Sequence, residues 1–147
     1  MSIPQRAIDT LLHELEQGRQ AWISGQVEWN ASSLVQQDPE MTISGPFGGS
    51  TTVADPVRQA QLAAAWFHGG TGRNEVIKVI AGDDLVVVIM VERNDVMFEG
   101  RSEPHPWILR TTQVFRHQGD RWVRLHRHAD PLIYRRGLDE TLALLDR

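Results

Sequence analysis

The chain has 147 residues, of which 41% are hydrophobic and 23% are charged, and its formal net charge is -4. This length and balance predict one folded domain over residues 1–147, and they exclude both a second domain and a disordered chain. The negative charge leaves no basic surplus to neutralise phosphates, so we expect no nucleic-acid partner and retain small molecules and proteins as partners.

The cysteine content and the apolar runs point to the same compartment. The chain contains no cysteine, which excludes disulfides, thiolate metal sites and cysteine nucleophiles and agrees with a reducing cytoplasm. The longest apolar run, residues 85–91, is too short to cross a bilayer, and the N-terminal residues lead into a charged helix without an export signal. We therefore expect a cytoplasmic protein without a membrane partner.

The N-terminal half is predicted to be mostly helical. Ser2 and Gln5 have the spacing of a capping box, and apolar residues at helical spacing follow to about Gly25. A short second helix is predicted from about Trp29 to Asp38, followed by a short strand over 41–44 and a glycine-rich loop over 45–49. The third helix is predicted from Asp55, its N-cap, through residue 68, with Gly69 and Gly70 as the stop.

From Glu75 onward the pattern becomes that of β-strands. Strands are predicted over 76–81, 85–91, 96–99, 107–116 and 121–128, with hairpin turns at 82–84, 94–95 and 118–120. A last amphipathic stretch over 138–145 predicts a C-terminal helix. Helices first and an antiparallel meander second predict an α+β fold.

The run 85–91 is apolar at every position, whereas an antiparallel strand with one wet face alternates. Both faces of this strand are therefore expected to be covered. A homodimer is the cover that we predict, and a long loop or the C-terminal helix is the alternative.

The last hairpin carries an unusual polar cluster. With Gln118 and Gly119 at the tip, antiparallel pairing predicts one shared face. The predicted pairs on that face are Phe115 with Trp122, Gln113 with Arg124, Thr111 with His126 and Leu109 with His128. The other face, expected at the rim or outside, holds Arg110, Thr112, Val114 and Arg116 against Val123, Leu125 and Arg127. The aromatic pair predicts that the first face points towards the helices, so that the polar group lines a pocket.

These residues also carry a resemblance. The runs 109–116 and 119–131 resemble the C-terminal hairpin of SnoaL-like members of the nuclear transport factor 2 like superfamily, and the loop over 45–49 is similar to one often seen there. The resemblance implies a conical fold with helices packed in a curved antiparallel sheet of cystatin-like topology, usually dimeric, with a pocket between them. That superfamily includes ketosteroid isomerase, scytalone dehydratase, limonene epoxide hydrolase and polyketide cyclases beside many noncatalytic members. The chain departs from the pattern at Arg124, where Val, Ile or Leu is usual.

Two functions follow as hypotheses. The first is a small-molecule-binding domain with cofactor-independent isomerase, dehydratase or cyclase chemistry on an apolar carbonyl compound. In it His126 or His128 moves the proton, Asp130 orients the histidine, and Arg124 with Gln113 stabilises negative charge on oxygen. The second is a noncatalytic ligand-binding or dimerisation module, in which Asp130 caps a strand and Arg124 forms an internal ion pair or binds a ligand carboxylate. The candidate ligand-binding residues are Arg124, Gln113, Thr111, Trp22, Phe47, Trp66 and Trp122.

Metal and nucleotide chemistry are not expected. His126 and His128 stand two residues apart, and His68, His105, Glu99 or Asp130 could complete a metal site, but no third ligand has a diagnostic spacing and Arg124 would repel a cation. The glycine-rich stretches lack the features of a phosphate-binding loop, and no serine lies in a nucleophile elbow. We therefore expect no metal and no cofactor.

Overall fold

The computed structural model describes residues 2–26 and 35–146, which form three helices and six strands. The helices are α1 (Gln5–Ile23), α2 (Pro56–Trp66) and α3 (Leu138–Ala143). The strands are β1 (Val35–Ser44), β2 (Thr52–Val53), β3 (Phe67–Ala81), β4 (Leu85–Phe98), β5 (His105–Gln118) and β6 (Arg121–Pro131).

The strands form one curved sheet in the order β2-β1-β6-β5-β4-β3. The predicted meander is present from β3 to β6, where all neighbours are antiparallel. At the other side, β1 pairs with β6 in parallel, so the sheet is mixed. The predicted α+β class is confirmed.

Helix α1 packs on the concave face of the sheet through Ile8, Leu11 and Leu15. Its N-cap is Pro4, without a side-chain capping bond, so the predicted capping box of Ser2 and Gln5 is wrong. The Gln5 side chain donates to Asp9 one turn further along.

The predicted second helix lies mainly outside the described residues. Its end is wrong, because Val35 and the residues that follow it belong to β1. The β1 ladder with β6 shifts register between Gln37 and Thr42, and Pro39 lies in this irregularity. Proline is tolerated there because a bulge needs no ladder donor.

The start of α2 is confirmed, since Asp55 accepts a hydrogen bond from the Arg58 backbone. The helix ends at Trp66, however, and Gly69 and Gly70 lie in β3 rather than stopping a helix. A Cβ on Gly70 would lie 2.0 Å from the Asp95 carbonyl oxygen. Gly70 therefore allows β3 and β4 to approach closely.

Strand β4 runs through the predicted turn at Asn94 and Asp95, which pair with Gly72 and Thr71. Val86, Val88 and Met90 are buried beneath α1, whereas Val87 and Ile89 on the opposite face are only partly buried. One chain therefore covers one face of β4.

No helix in the described ranges is long and apolar enough to cross a membrane.

Gly72→Ala is expected to destabilise the fold by about 1–3 kcal/mol. A Cβ at this position would lie 2.2 Å from Asn94 Oδ1, 2.5 Å from the Arg93 carbonyl oxygen and 2.7 Å from Arg19 Nη1. Urea unfolding measures the change, with Gly18→Ala as control, because a Cβ there meets nothing within 4 Å. Equal stability of the Gly72→Ala variant and the parent would contradict this packing.

Candidate ligand-binding cavity

A β-bulge at Leu125 determines which side chains of β6 face the interior. Near the hairpin tip Phe115 pairs with Arg124, but the next pair is Val114 with His126, so Leu125 is the extra residue. A bulge of this kind shifts all the following residues to the opposite face.

The predicted inner face is therefore right for the four residues of β5, Leu109, Thr111, Gln113 and Phe115, and for Trp122 and Arg124, and it is wrong for the two histidines. Phe115, Gln113, Trp122 and Arg124 are buried on the concave side, as predicted. Beyond the bulge the prediction is wrong: His126 and His128 lie on the convex side, and Arg127, predicted outside, faces the interior. The predicted pairs were also out of register, by two residues before the bulge because the hairpin tip is Gly119-Asp120, and by three beyond it because Leu125 is an extra residue.

The two histidines make their contacts outside the cone. His126 Nδ1 lies 2.7 Å from Thr42 Oγ1 on β1. His128 is exposed, and its Nε2 lies 3.8 Å from Asp130 Oδ2. Asp130 accepts two hydrogen bonds from Arg110, at 2.8 and 3.0 Å. The structure thus brings Asp130 to an exposed arginine on the convex face, away from the interior.

The concave side encloses a cavity of about 150 Å³ between α1, the sheet and the loop after β1. Its apolar wall consists of aliphatic and aromatic side chains, and its polar wall consists of side chains from the middle of β4, β5 and β6. The cavity-lining residues include Trp22, Met41, Ile43, Phe47, Met90, Glu92, Asn94, Trp107, Gln113, Arg124 and Arg127. An apolar cup with a few convergent polar groups is the usual form of a small-molecule site.

The polar wall contains an ion pair between the buried Glu92 and the partly buried Arg127. Arg127 donates from Nη1 and Nη2 to the two carboxylate oxygens of Glu92, both at 2.8 Å. Burial alone raises the pKa of Glu92, but the charge and hydrogen bonds of Arg127, with the charges of Arg124 and Arg19, outweigh it and lower the pKa below its usual range. Glu92 is therefore ionised at neutral pH.

Arg124 is a second cation on this wall, and it is buried. Its guanidinium carbon lies 5.4 Å from the centre of the Phe115 ring. Burial and the nearby charge of Arg127 lower the pKa of Arg124 to about 9, against the attraction of Glu92. Its charge is thus retained at neutral pH, in surroundings where a further negative group is favourable.

Gln113 lies on the same wall and is fully buried. Neither its side-chain oxygen nor its nitrogen has a hydrogen-bond partner within residues 2–26 and 35–146. An amide buried without partners costs free energy, because its hydration is lost and not replaced. A ligand group that accepts a hydrogen bond would supply a partner for the nitrogen of this amide.

At the α1 side of the cavity, the Arg19 side chain joins α1 to the sheet through hydrogen bonds. Its Nη1 donates to Asn94 Oδ1 at 2.7 Å, and its Nη2 donates to the Gly72 carbonyl at 2.9 Å and to Glu16 Oε1 at 2.5 Å. Asn94 in turn donates to the Trp107 carbonyl at 3.0 Å. This network fixes the position of α1 over the cavity.

The structure separates the predicted ligand-binding residues into two groups. Gln113, Arg124, Trp22 and Phe47 line the cavity, and Thr111, Trp66 and Trp122 do not. The Thr111 hydroxyl donates to the Met90 carbonyl at 3.2 Å, Trp122 donates to the Ala7 carbonyl at 3.1 Å, and Trp66 packs against Phe47 outside the cavity.

Sequence reasoning missed Glu92, Arg127, Arg19 and Asn94. A signal existed for Glu92 and Asn94, because they continue the alternation of Val86, Val88 and Met90 along the buried face of β4. Nothing comparable marked Arg127, whose orientation depends on the bulge. Among the described side chains, no three histidines or carboxylates converge on a possible metal position.

Comparison with solved structures identifies the architecture. A calcium/calmodulin-dependent protein kinase II hub homology domain from Chlamydomonas reinhardtii is similar at 19% identity and TM-score 0.67, covering 86% of this chain and 99% of that one. A protein of the nuclear transport factor 2 like family from Streptomyces avermitilis, provisionally named a dehydratase, is similar at 13% identity and TM-score 0.67, covering 90% and 100%. A protein with a cystatin-like fold from Caulobacter vibrioides has 12% identity and TM-score 0.60, covering 95% and 94%.

No protein-family model and no curated protein sequence matches the chain. At these identities the structural likeness defines the fold and not the chemistry. The chain has the cystatin-like α+β fold of the nuclear transport factor 2 like proteins.

Proposed function

We propose that the chain is a noncatalytic small-molecule-binding domain whose cavity binds a compact carboxylate with an apolar body. The observation that carries this proposal is the buried Gln113 amide, which has no partner in the described residues and shares a wall with Arg124 and Arg127. A carboxylate can accept hydrogen bonds from an amide and a guanidinium together.

The size of the cavity limits the ligand. A cavity of 150 Å³ holds roughly one benzene-sized group. The apolar part of the ligand would contact Met41, Ile43 and Trp107, and its carboxylate would point at Gln113. This arrangement suits a short branched, alicyclic or aromatic monocarboxylate.

The cavity chemistry favours binding over the isomerase, dehydratase or cyclase chemistry considered from the sequence. His126 and His128 lie on the convex face, and no histidine lines the cavity in the part of the chain that the structure describes. Glu92 is a poor base because both its oxygens accept from Arg127. The names of the structural neighbours include both a dehydratase and a hub domain, so they do not decide between the alternatives.

Isothermal titration calorimetry with matched ligand pairs tests the proposal. Benzoate and cyclohexanecarboxylate are expected to bind at least tenfold more tightly than benzamide and cyclohexanecarboxamide, which have the same shape without the charge. Equal affinities for each carboxylate and its amide would contradict an anion site. The absence of a binding heat for both carboxylates and both amides would also contradict it. Exchange of the α-proton of cyclohexanecarboxylate in D₂O, followed by NMR, would contradict a noncatalytic role.

We also propose that the chain forms a homodimer through the convex face of the sheet. Val87 lies between Ile80 on β3 and Val114 on β5, so the middle of this face is apolar. Apolar faces of this kind are commonly covered in symmetric pairs.

Val87→Glu is expected to convert the dimer to a monomer at micromolar concentration, because the new charge would be buried in the interface. Sedimentation equilibrium measures the mass. Gln118→Glu adds the same charge at an exposed position next to the hairpin tip and is expected to remain a dimer. A monomeric parent chain, or a dimeric Val87→Glu variant, would refute this interface.

A further inference from the structure

The cavity shares part of its wall with a second, more open space. This space is a groove of about 650 Å³, here called the aromatic groove, and its aromatic walls are Phe47, Trp66, Phe98 and Trp107. Phe47, Trp107 and Leu109 line the groove and the cavity alike. The two spaces therefore meet at these three side chains.

The three shared side chains differ in how they are held. Trp107 and Leu109 belong to β5, within its ladder with β4. Phe47 lies on the loop after β1 and is 67% exposed. Its ring centre lies 5.2 Å from that of Trp66 and 5.7 Å from that of Trp107. Because these contacts lie outside the sheet ladders, the Phe47 ring can be replaced without breaking a strand pair.

The loop that carries Phe47 is held at its base and open at its tip. A hydrogen bond of 2.6 Å joins the hydroxyl groups of Ser44 and Thr51 at the base. Gly48 and Gly49 follow Phe47 with φ of 83° and 84°, and a Cβ on either would meet nothing within 4 Å. The base of the loop therefore has an anchor that does not involve the Phe47 ring.

Phe47 lies at the end of the cavity away from the proposed carboxylate position. Gln113 and Trp107 line the cavity from opposite halves of β5. They face the same side of the sheet, because side chains alternate along a strand. A carboxylate directed at Gln113 therefore points the rest of the ligand towards Trp107 and its neighbour Phe47.

We propose that Phe47 sets the upper length of the ligand by closing the cavity towards the aromatic groove. This inference rests on the proposed carboxylate site and adds a residue that determines its specificity. Without the phenyl ring, a longer ligand would keep its carboxylate at Gln113 and extend past Trp107 into the groove. The aromatic walls suit an apolar tail, whereas Glu99 and Arg101 give the groove charges of both signs.

Calorimetry with benzoate and biphenyl-4-carboxylate tests the proposal, since the second compound adds one phenyl ring opposite the carboxylate. The parent is expected to bind benzoate about tenfold more tightly than biphenyl-4-carboxylate, because a rigid ring that does not fit forces the wall to move. In Phe47→Ala this preference for benzoate should fall by about tenfold. Phe47→Val removes less of the ring and should lower the preference by a smaller factor.

Tyr134→Ala is the matched control. It removes an aromatic side chain that is 71% exposed and lines neither the cavity nor the aromatic groove. This variant should keep the parent's preference for benzoate. Urea unfolding of Phe47→Ala at the parent's midpoint would show that the loss of the ring leaves the fold intact.

Trp66→Ala in the Phe47→Ala background tests where the longer ligand lies, because Trp66 lines the groove and not the cavity. Loss of the contact between two aromatic rings is expected to weaken biphenyl-4-carboxylate binding about fivefold and to leave benzoate binding as it was. An equal loss for both acids would overturn the extension into the groove.

Two results would overturn the role of Phe47 and leave the carboxylate site standing. One is equal affinity of the parent for the two acids, and the other is the same preference for benzoate in Phe47→Ala as in the parent. Tight binding of biphenyl-4-carboxamide to Phe47→Ala, equal to that of the acid, would show that the ring binds in the groove without the carboxylate at Gln113 and would also overturn it. Absence of benzoate binding to the parent would instead refute the carboxylate site, and this inference with it.

Discussion

Glu92→Ala is expected to destabilise the chain by about 3–5 kcal/mol, the largest effect of any single substitution proposed for this protein. Glu92 is buried and accepts two hydrogen bonds from Arg127 at 2.8 Å. Its removal leaves the Arg127 guanidinium without its counter-ion and close to the like charge of Arg124. Urea unfolding at pH 7 measures the loss.

The double variant Glu92→Leu with Arg127→Leu is the matched control. Replacing both members of a buried ion pair by apolar groups removes the desolvation cost along with the attraction, so most of the stability should return. Equal instability of the double variant would show that packing, and not an unpaired charge, causes the effect. A stable Glu92→Ala variant would contradict the ion pair itself.

The same ion pair predicts how the free energy of unfolding changes at acidic pH. Because the pKa of Glu92 is lower in the folded chain than its ordinary value of 4.5, its contribution is fully present above that value and is lost as the pH falls through the folded pKa. Unfolding free energies from pH 6 to pH 2 should therefore fall less steeply in Glu92→Gln than in the parent. Parallel curves of unfolding free energy against pH for the two proteins would contradict the lowered pKa of Glu92 in the folded chain.

Arg124→Met is expected to weaken carboxylate binding by about 10- to 100-fold, the loss that accompanies removal of a charged hydrogen-bond partner. Met retains most of the length of the arginine stem and so preserves the volume of the wall. Gln113→Leu is expected to act in the same direction, because its amide is the other donor. Calorimetry with benzoate measures both.

Arg110→Met supplies the control for a lost positive charge, since Arg110 is bound to Asp130 on the convex face. It should bind benzoate as the parent does, and His126→Ala should also leave the affinity unchanged. Loss of affinity in His126→Ala would show that His126 contributes to binding, and it would contradict its position on the convex face.

Local sequence signals predicted the elements with strong signatures. Asp55 and Pro56 marked the start of α2, and the turns after Ala81 and Gln118 were placed from short polar loops between apolar runs. The burial of Gln113 followed from alternation starting at Phe115 on β5, and that of Arg124 from alternation starting at Trp122 on β6. These features depend on a few neighbouring residues, so a single sequence can reveal them.

The errors arose where tertiary packing decides. Gly69 and Gly70 resemble a helix stop, but both lie inside β3, and Gly70 is needed there because the Asp95 backbone approaches it closely. Leu125 has no property that marks a bulge, because neither glycine nor proline accompanies it. The bulge is visible only in the pairing with β5, and the assignment of Arg127 and both histidines depends on it.

The extra residue at Leu125 also affects how this chain can be compared with others. In a regular strand, positions three apart face opposite sides, yet Arg124 and Arg127 both face the cavity because Leu125 interrupts the alternation. A related chain with an unbulged strand aligns correctly only if a one-residue gap is opened at Leu125. Without that gap, Arg127 and Ala129 would be matched to solvent-facing positions, and inheritance of the binding site would be misread.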